Sequence, residues 1–514
     1  KQSCISFFSV SVLSHIANKL QILKKESNII HISEFNQIIN AFLEKNPTPF
    51  IYEKIGTRYS HYFIDEFQDT SAIQWSNLIP LVEDGLSSGG SCLVVGDAKQ
   101  SIYRWRGGEV KQFLSLSDVH QTHALSQFDS KIHSLNINYR SDKEIVSFNN
   151  KFFSFLSKYL ISPYDGLYRN LNHKCNSKNL GQVSISGLDI KGKDVSEYTL
   201  NLIYNKISDV KNRGYLFSDI CVLTRSNREI SSIAIFLTKM GIPIISSESL
   251  LLKNSKSVQF IINNLQIILD QKNHLSKAKF LTYLISNNAI KCDSESNHFL
   301  LSKYSKVDNL EFQSFLKSSG IIWTFQRYTR LNLYELTEEI IRLFGLDVNS
   351  NMFINFFLDF VYDFSIKNSN SIQDFLQFWH DKKESASITI PSGIDAVELM
   401  TVHKSKGLQF PIVIFPFANW KEDLGKEKNW FNIGSMFNNK SPSKDAITIL
   451  PLKRELENWP RPFPSIYLDY KNEAKLDSIN LLYVAMTRPK NELHVITNSD
   501  PRKGNIFKYF KEYL

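Results

Sequence analysis

Two adjacent carboxylates, Asp65 and Glu66, stand directly behind an apolar run, Tyr62-Phe63-Ile64, and Asp69 follows three residues after Glu66. The run reads as the end of a buried strand. Parallel α/β sheets carry their reactive groups at the carboxyl ends of strands. A hard cation such as Mg²⁺ takes oxygen ligands, in nucleotide sites one or two carboxylates plus phosphates. Asp65 is therefore a candidate Mg²⁺ ligand, directly or through water, and Glu66 a candidate base that positions an attacking water. In isolation, an acidic strand-to-helix turn with capping carboxylates would look the same.

A second apolar run, residues 92–95, leads into Gly96-Asp97-Ala98-Lys99-Gln100-Ser101-Ile102-Tyr103-Arg104-Trp105-Arg106-Gly107-Gly108. Gln100 could bond a terminal phosphate. Tyr103, Trp105 and Arg106 offer π faces for base stacking and a guanidinium for a nucleic-acid backbone. Trp105 as a core anchor is the equal alternative. Residues 135–139 alternate apolar and polar and lead into Arg140, which could reach a phosphate. The stretch Val402-His403-Lys404-Ser405-Lys406-Gly407-Leu408-Gln409-Phe410 is a basic turn between two buried strands. Gly407 permits close backbone approach there, and Lys404 and Lys406 could meet phosphate. Residues 481–489 read as a helix ending in an exposed arginine, Arg488, with the profile of an arginine finger.

The elements that must position these groups follow from periodicity. Residues 1–60 carry apolar residues at helical spacing and read as plain core helices. An aromatic-rich helix is expected over residues 148–160. Residues 220–225 read as a buried strand, residues 230–240 as a helix closed by Gly241, and residues 243–245 as the next strand, a βαβ pattern. Residues 256–389 read as all-helical. Strands return at 396–401, 412–415 and 492–497. Residues 421–465, rich in Pro, Asn and Lys, read as a long surface excursion.

At 514 residues the chain is too long for one core, so several domains are expected. Its net charge of +9 suits a polyanionic partner. The five cysteines, Cys4, Cys92, Cys175, Cys221 and Cys292, form no Cys-x-x-Cys pair. That argues against a disulfide framework or zinc ribbon and fits a cytoplasmic protein. No apolar run approaches the length of a transmembrane helix, so no membrane partner is expected.

In this order, the motifs resemble those of the UvrD/Rep-like superfamily 1 DNA helicases, most closely the RecB and AddA branch of recombination and repair. Asp65-Glu66-Phe67-Gln68-Asp69-Thr70 is similar to the family's Walker B motif, and residues 96–108 to its motif III. Asn138-Tyr139-Arg140-Ser141, residues 401–410 and residues 483–488 are similar to motifs IV, V and VI. The resemblance implies an α/β fold of RecA-like P-loop NTPase domains, the first one partial, with an all-helical insertion. The implied organisation has the end of the first RecA-like domain, with preceding helices, at residues 1–130. The second RecA-like domain takes residues 131–255 and 390–514, interrupted by the helical domain at 256–389.

The resemblance further implies ATP and Mg²⁺ as cofactors and 3′-to-5′ movement along DNA. Asp65 and Glu66 would handle Mg²⁺ and water, and Gln100 the γ-phosphate side. Arg140 and Arg488 would stabilise the transition state. Gly407 and Gln409 would lie on the nucleotide side, Gln409 standing where many members have Glu. Tyr103, Trp105 and Arg106 would touch DNA, and His403 would couple the DNA and ATP sites. The implied partners are single-stranded and duplex DNA and a nuclease or helicase partner subunit. The sequence holds no Gly-x-x-x-x-Gly-Lys-Ser/Thr, and it opens on Lys1. Together these suggest an N-terminally truncated helicase; the alternative is an inactive, DNA-binding helicase-like subunit.

Overall fold

The computed structural model describes the chain except residues 1, 46–54, 56–58, 118–124, 170, 187–194, 247–250, 291–293, 329–330, 347–351, 369, 385, 387–393, 421, 423–427, 433–446 and 499–505. Among the described residues the strands are β1 His61–Ile64, β2 Ser91–Val94, β3 Ile137–Asn138, β4 Lys174–Cys175, β5 Gln182–Ser186 and β6 Ile220–Thr224. They continue with β7 Ile244–Ser246, β8 Val397–Thr401, β9 Phe410–Phe415, β10 Lys428–Asn432, β11 Ile447–Pro451 and β12 Pro489–Ile496. Contacts divide the chain into two compact units. One holds Lys1–Tyr215, Asp219–Arg225 and Thr401–Leu514; the other holds Leu216–Ser218 and Ser226–Met400.

In the first unit, β1 and β2 pair in parallel under the helix Ala72–Ser87. That helix starts at a reciprocal cap: Gln74 N donates to Ser71 Oγ at 3.2 Å and Ser71 N to Gln74 Oε1 at 2.9 Å. Phe67, Trp75 and Val82 form the core beneath, Phe67 meeting Trp75 edge-on at 4.9 Å. The helix covers one face only. The strands expected to be buried at 62–64 and 92–95 are therefore half-exposed, with Phe63 75% exposed. The first two helices, Gln2–Ser27 and Ile32–Lys45, were expected as core elements and also differ. Ile32–Lys45 meets Ala72–Ser87 through polar contacts, Asn77 Nδ2 to Asn36 O and Ser76 Oγ to Asn40 Oδ1, both at 3.0 Å. Leu13, Ile16 and Leu20 of the first helix and Phe35 and Ile38 of the second lie exposed.

The same unit holds four parallel strands in the order β5-β12-β9-β6. β6 and nearly all of β9 are buried, as continuous apolar strands in a parallel sheet should be. The helices Lys143–Leu156 and Phe463–Met486 pack in this unit, the second running directly towards β12. The alternating run at 135–139 yields a strand only at β3, which pairs with β4; Leu135 and Tyr139 lie in solvent, with no core to turn towards. The aromatic helix starts earlier than expected and gives way to a 3₁₀ turn, Ser157–Tyr159. The supposed surface excursion contains an antiparallel pair, β10 with β11.

The second unit contains a parallel pair, β7 with β8, and the helices Lys256–Leu269, His274–Ser286, Ser294–Tyr304, Asn309–Ser318, Leu333–Leu343, Met352–Lys367 and Ile372–Lys382. Their apolar faces close on one aromatic-rich core that includes Phe260, Phe280, Trp323, Phe357 and Trp379. Trp323 Nε1 is satisfied by Asn264 Oδ1 at 3.2 Å. Among the described residues of 256–389 no strand interrupts these helices.

Candidate functional site

The acid turn is built by β1 running out beside β2. Val95 N donates to Ile64 O at 2.8 Å and Phe67 N to Val95 O at 3.0 Å, locking the turn to its neighbour. Between these bonds Glu66 adopts φ +52°, a left-handed conformation that costs a non-glycine residue roughly 1 kcal/mol. Glu66 N donates to Asp65 Oδ1 at 2.8 Å, and both side chains are exposed. Gln68 is fully buried and joins this turn to the next. Its Nε2 donates to Glu66 Oε2 at 2.5 Å, and its Oε1 accepts from Asp97 N at 3.0 Å. Residue 96 must be glycine for this, since a Cβ there would come within 2.6 Å of Gln68 Oε1.

Lys406, which the sequence offers as able to meet phosphate, has its ammonium 3.3 Å from Glu66 Oε2 and bonded to Asp69 Oδ2. The physical reason is that Asp69 is half-buried and needs a counter-charge. Burial pushes its carboxyl above the usual range, and Lys406 opposes that only in part. Lys404 is exposed. Among the described residues no three His, Cys, Asp or Glu side chains cluster as a metal cage. Asp65 and Glu66 thus present two exposed carboxylates at the end of β1, the donor type that a hard cation sharing its shell with phosphate and water takes.

Gln100 lies on the 3₁₀ turn Ala98–Gln100, where its Nε2 donates to Asp97 Oδ2 at 3.1 Å. Asp97 also pairs with Lys99 at 2.6 Å. The two arginines come together. Arg140 donates through Nε to Gln409 Oε1 at 3.3 Å and through Nη1 to Thr487 O at 3.1 Å. Asn138 Oδ1 shapes its backbone by accepting from the amides of Arg140 and Ser141, both at 2.9 Å.

Arg488, expected at an exposed helix end, is 1% exposed. Its guanidinium folds back onto Val484 O at 2.8 Å, Leu408 O at 3.2 Å and Thr487 Oγ1 at 3.0 Å. These acceptors satisfy a buried cation where the helix carbonyls run out. Burial, then Arg140, lower its pKa to about 10, with Glu66 and Asp97 acting the other way; it stays charged at neutral pH. Gly407 takes φ +83° in the turn before β9, which the left-handed backbone there requires.

Tyr103 and Trp105 lie beside each other, ring centroids 6.3 Å apart. Trp105 is 67% exposed, so it is no core anchor. The Arg106 guanidinium covers its ring at 4.6 Å. Tyr103 Oη donates to His403 O at 3.0 Å, and the two rings lie 5.9 Å apart. Burial, with Arg225 and Arg106, pushes the His403 pKa down, keeping the ring neutral at pH 7. His403 and Lys406 share one short turn, which thus touches the aromatic pair and the acid turn.

Sequence reasoning passed over Gln68, the Lys406–Asp69 pair and Asn480. Asn480 is fully buried and donates to Ala98 O at 3.0 Å and Ser101 O at 2.9 Å. A polar residue inside the apolar run before Tyr483 was the available signal.

Comparison with known proteins bears on this arrangement. The family model for the UvrD/REP helicase N-terminal domain matches residues 9–121. The model for the UvrD-like helicase C-terminal domain matches residues 133–339 and 331–500. The chain is similar to the exonuclease/helicase subunit RexA of Streptococcus pneumoniae, 24% identical over 97% of this chain and 45% of the relative. It is likewise similar to an ATP-dependent helicase/nuclease subunit from Carboxydothermus hydrogenoformans, 24% identical over 95% of this chain and 44% of the relative. RecBCD enzyme subunit RecB of Buchnera aphidicola subsp. Schizaphis graminum is 25% identical over 96% of this chain and 43% of its own length. The chain thus spans less than half the length of these relatives.

Proposed function

Because this chain belongs to the UvrD/REP helicase family, we propose that it serves an ATP-dependent, 3′-to-5′ DNA helicase or translocase of recombination and repair. The observation that carries the reading is the Val402–Ser405 turn with Lys406. It holds Tyr103 through the His403 carbonyl and Glu66 and Asp69 through Lys406. A single strand stacked on Tyr103 and Trp105 would thereby be linked mechanically to Glu66, the base of the hydrolytic step.

In this reading Tyr103, Trp105 and Arg106 bind the strand, and His403 backs the platform. Glu66 orients the attacking water and accepts its proton. Asp65 and Glu66 would hold Mg²⁺, which when bound offsets phosphate charge. Gln100 faces the terminal phosphate, and Arg140 and Arg488 stabilise charge on the transferring group, with Gly407 and Gln409 beside the nucleotide. The domain division proposed is residues 1–130 with 131–255 and 390–514 as RecA-like parts, and 256–389 as the helical insertion. A nuclease or helicase partner subunit, duplex as well as single-stranded DNA, and a cytoplasmic setting complete the proposal. Among the described residues no helix is long and apolar enough to cross a membrane.

The second reading is a DNA-binding helicase-like subunit without turnover. Single-strand-stimulated ATPase of the protein as its gene encodes it decides between them. Glu66→Gln should lower stimulated turnover by about 10²–10⁴-fold with DNA affinity retained. Stimulated turnover that Glu66→Gln leaves intact would overturn the role of Glu66; DNA binding with no turnover in the unaltered protein would establish the second reading.

A further inference from the structure

We propose that Arg104 is a positioning residue that transmits occupancy of the single-strand platform to the helix Phe463–Met486, and through it to Arg140 and Arg488. The inference rests on the platform reading above. On the 3₁₀ turn Arg104–Arg106, successive side chains diverge. Trp105 and Arg106 are exposed, while Arg104 is part-buried and turned to the helix. Its Nε and Nη2 both lie 2.7 Å from Asp477 Oδ2. Its Nη1 lies 3.4 Å from Glu473 Oε2, and its guanidinium 5.3 Å from the centre of the Tyr470 ring. Tyr470, Glu473 and Asp477 recur at intervals of three and four and so form one helical stripe. Glu473 also takes Lys111 at 2.7 Å, from the helix Val110–Ser117 that follows the platform.

Asn480, three residues past Asp477, adds a second tie by bonding the carbonyls of Ala98 and Ser101. The platform segment is thus fastened to one helix at both its ends. From residue 478 to its last residue every helix side chain is buried, so the segment behaves as a rigid strut. From Asp477 to Met486 it spans about 14 Å. At its far end Thr487 O receives Arg140 and Thr487 Oγ1 receives Arg488. A planar fork suits this place where an ammonium would not, because it engages two carboxylates and an aromatic face at once. Any shift of the turn that accompanies stacking on Trp105 must therefore move the strut or break the Arg104 contacts.

The test uses the 514-residue chain and a thymidine oligonucleotide of about 12 nucleotides, within the usual single-strand site size. Binding is read by fluorescence anisotropy, and helix response by hydrogen–deuterium exchange of peptides covering residues 470–488. Saturating oligonucleotide should slow exchange both there and over residues 98–111. In Arg104→Gln the dissociation constant should change by less than about threefold, the platform peptides should stay protected, and the helix peptides should cease to respond. Asp477→Asn should behave alike, and the charge exchange Arg104→Asp with Asp477→Arg should restore part of the response, which simple loss of stability would not give. An oligonucleotide that fails to bind the unaltered chain overturns the platform reading and the inference with it. Binding with no helix response, or a response that survives in Arg104→Gln and Asp477→Asn, overturns the role of Arg104 alone.

Discussion

Replacing Lys406 by methionine removes a charge and keeps most of the side-chain volume. The lysine side chain is 8% exposed, Asp69 21% and Glu66 50%. Breaking a fully buried ion pair from one side costs about 3–5 kcal/mol, because a charge is left uncompensated. An exposed pair contributes about 0–1 kcal/mol. Asp69 lies nearer the first limit and Glu66 nearer the second. Asp69 also has one buried carboxylate oxygen, Oδ1, without a hydrogen-bond partner among the described residues. We expect a loss of about 2–3 kcal/mol near pH 8.

The sign with pH follows from Asp69. Its folded pKa is raised by burial and restrained by Lys406. Without Lys406 it rises further, so the folded variant binds a proton more readily than the unfolded chain. Stability contributed by a raised carboxyl is fully present below its unfolded pKa and is lost as pH climbs through the folded value. The deficit of Lys406→Met should therefore be smaller at pH 5 than at pH 8. Urea unfolding followed by tryptophan fluorescence measures it, and Asp69→Asn in the Lys406→Met background should recover part of the loss. A deficit equal at both pH values, or strict additivity of the two substitutions, would refute the pairing argument.

Two further outcomes follow from the geometry. Trp105→Ala should weaken single-strand binding by about 1–3 kcal/mol if a base stacks there, and an unchanged affinity in anisotropy titrations would remove Trp105 from the platform. Burial pushes Glu492 up, but His494 and Arg213 outweigh it and hold its pKa at about 2. A depressed carboxylate contributes stability above its unfolded pKa and loses it as pH falls towards the folded one. Between about pH 4.5 and 2 the chain should lose about 2 kcal/mol through this group, discounting for part-exposed Arg213. Urea midpoints of Glu492→Gln should lack that slope, and a slope equal to that of the parent would count against it.

The parallel strands and the helices of residues 256–384 were legible because long apolar runs and helical periodicity survive in any context. Residues 220–224 have no polar alternation to mislead, and they form β6. Exposure was less legible. The runs at 62–64 and 92–95 have the composition of buried strands, yet burial depends on what covers each face, and Ala72–Ser87 covers only one. Arg488 failed in the opposite direction. An arginine after a helix reads as a surface residue, but here the carbonyls of Val484 and Leu408 and the Thr487 hydroxyl converge on it. The candidate site was visible as residue types in order. What held it together was not, because Gln68, Lys406 and Asn480 act across separations of 29, 337 and 382 residues.

Those three contacts share a logic. Each joins a turn at the end of one strand to an element remote in sequence, through side chains largely withdrawn from water. Water cannot replace such bonds cheaply, since a buried polar group deprived of its partner costs about 1–3 kcal/mol. The turns are therefore not independent loops that happen to lie near one another. Lys406 leads from the aromatic pair to the acid turn, and Asn480 and Arg104 lead from the same aromatic segment to the arginine pair. On the proposal made for Arg104, a displacement imposed at Tyr103 and Trp105 would have two routes outward, one ending on carboxylates and the other on guanidinium groups. Groups of opposite charge at the ends of two such routes can be repositioned together by a single event at the aromatic surface.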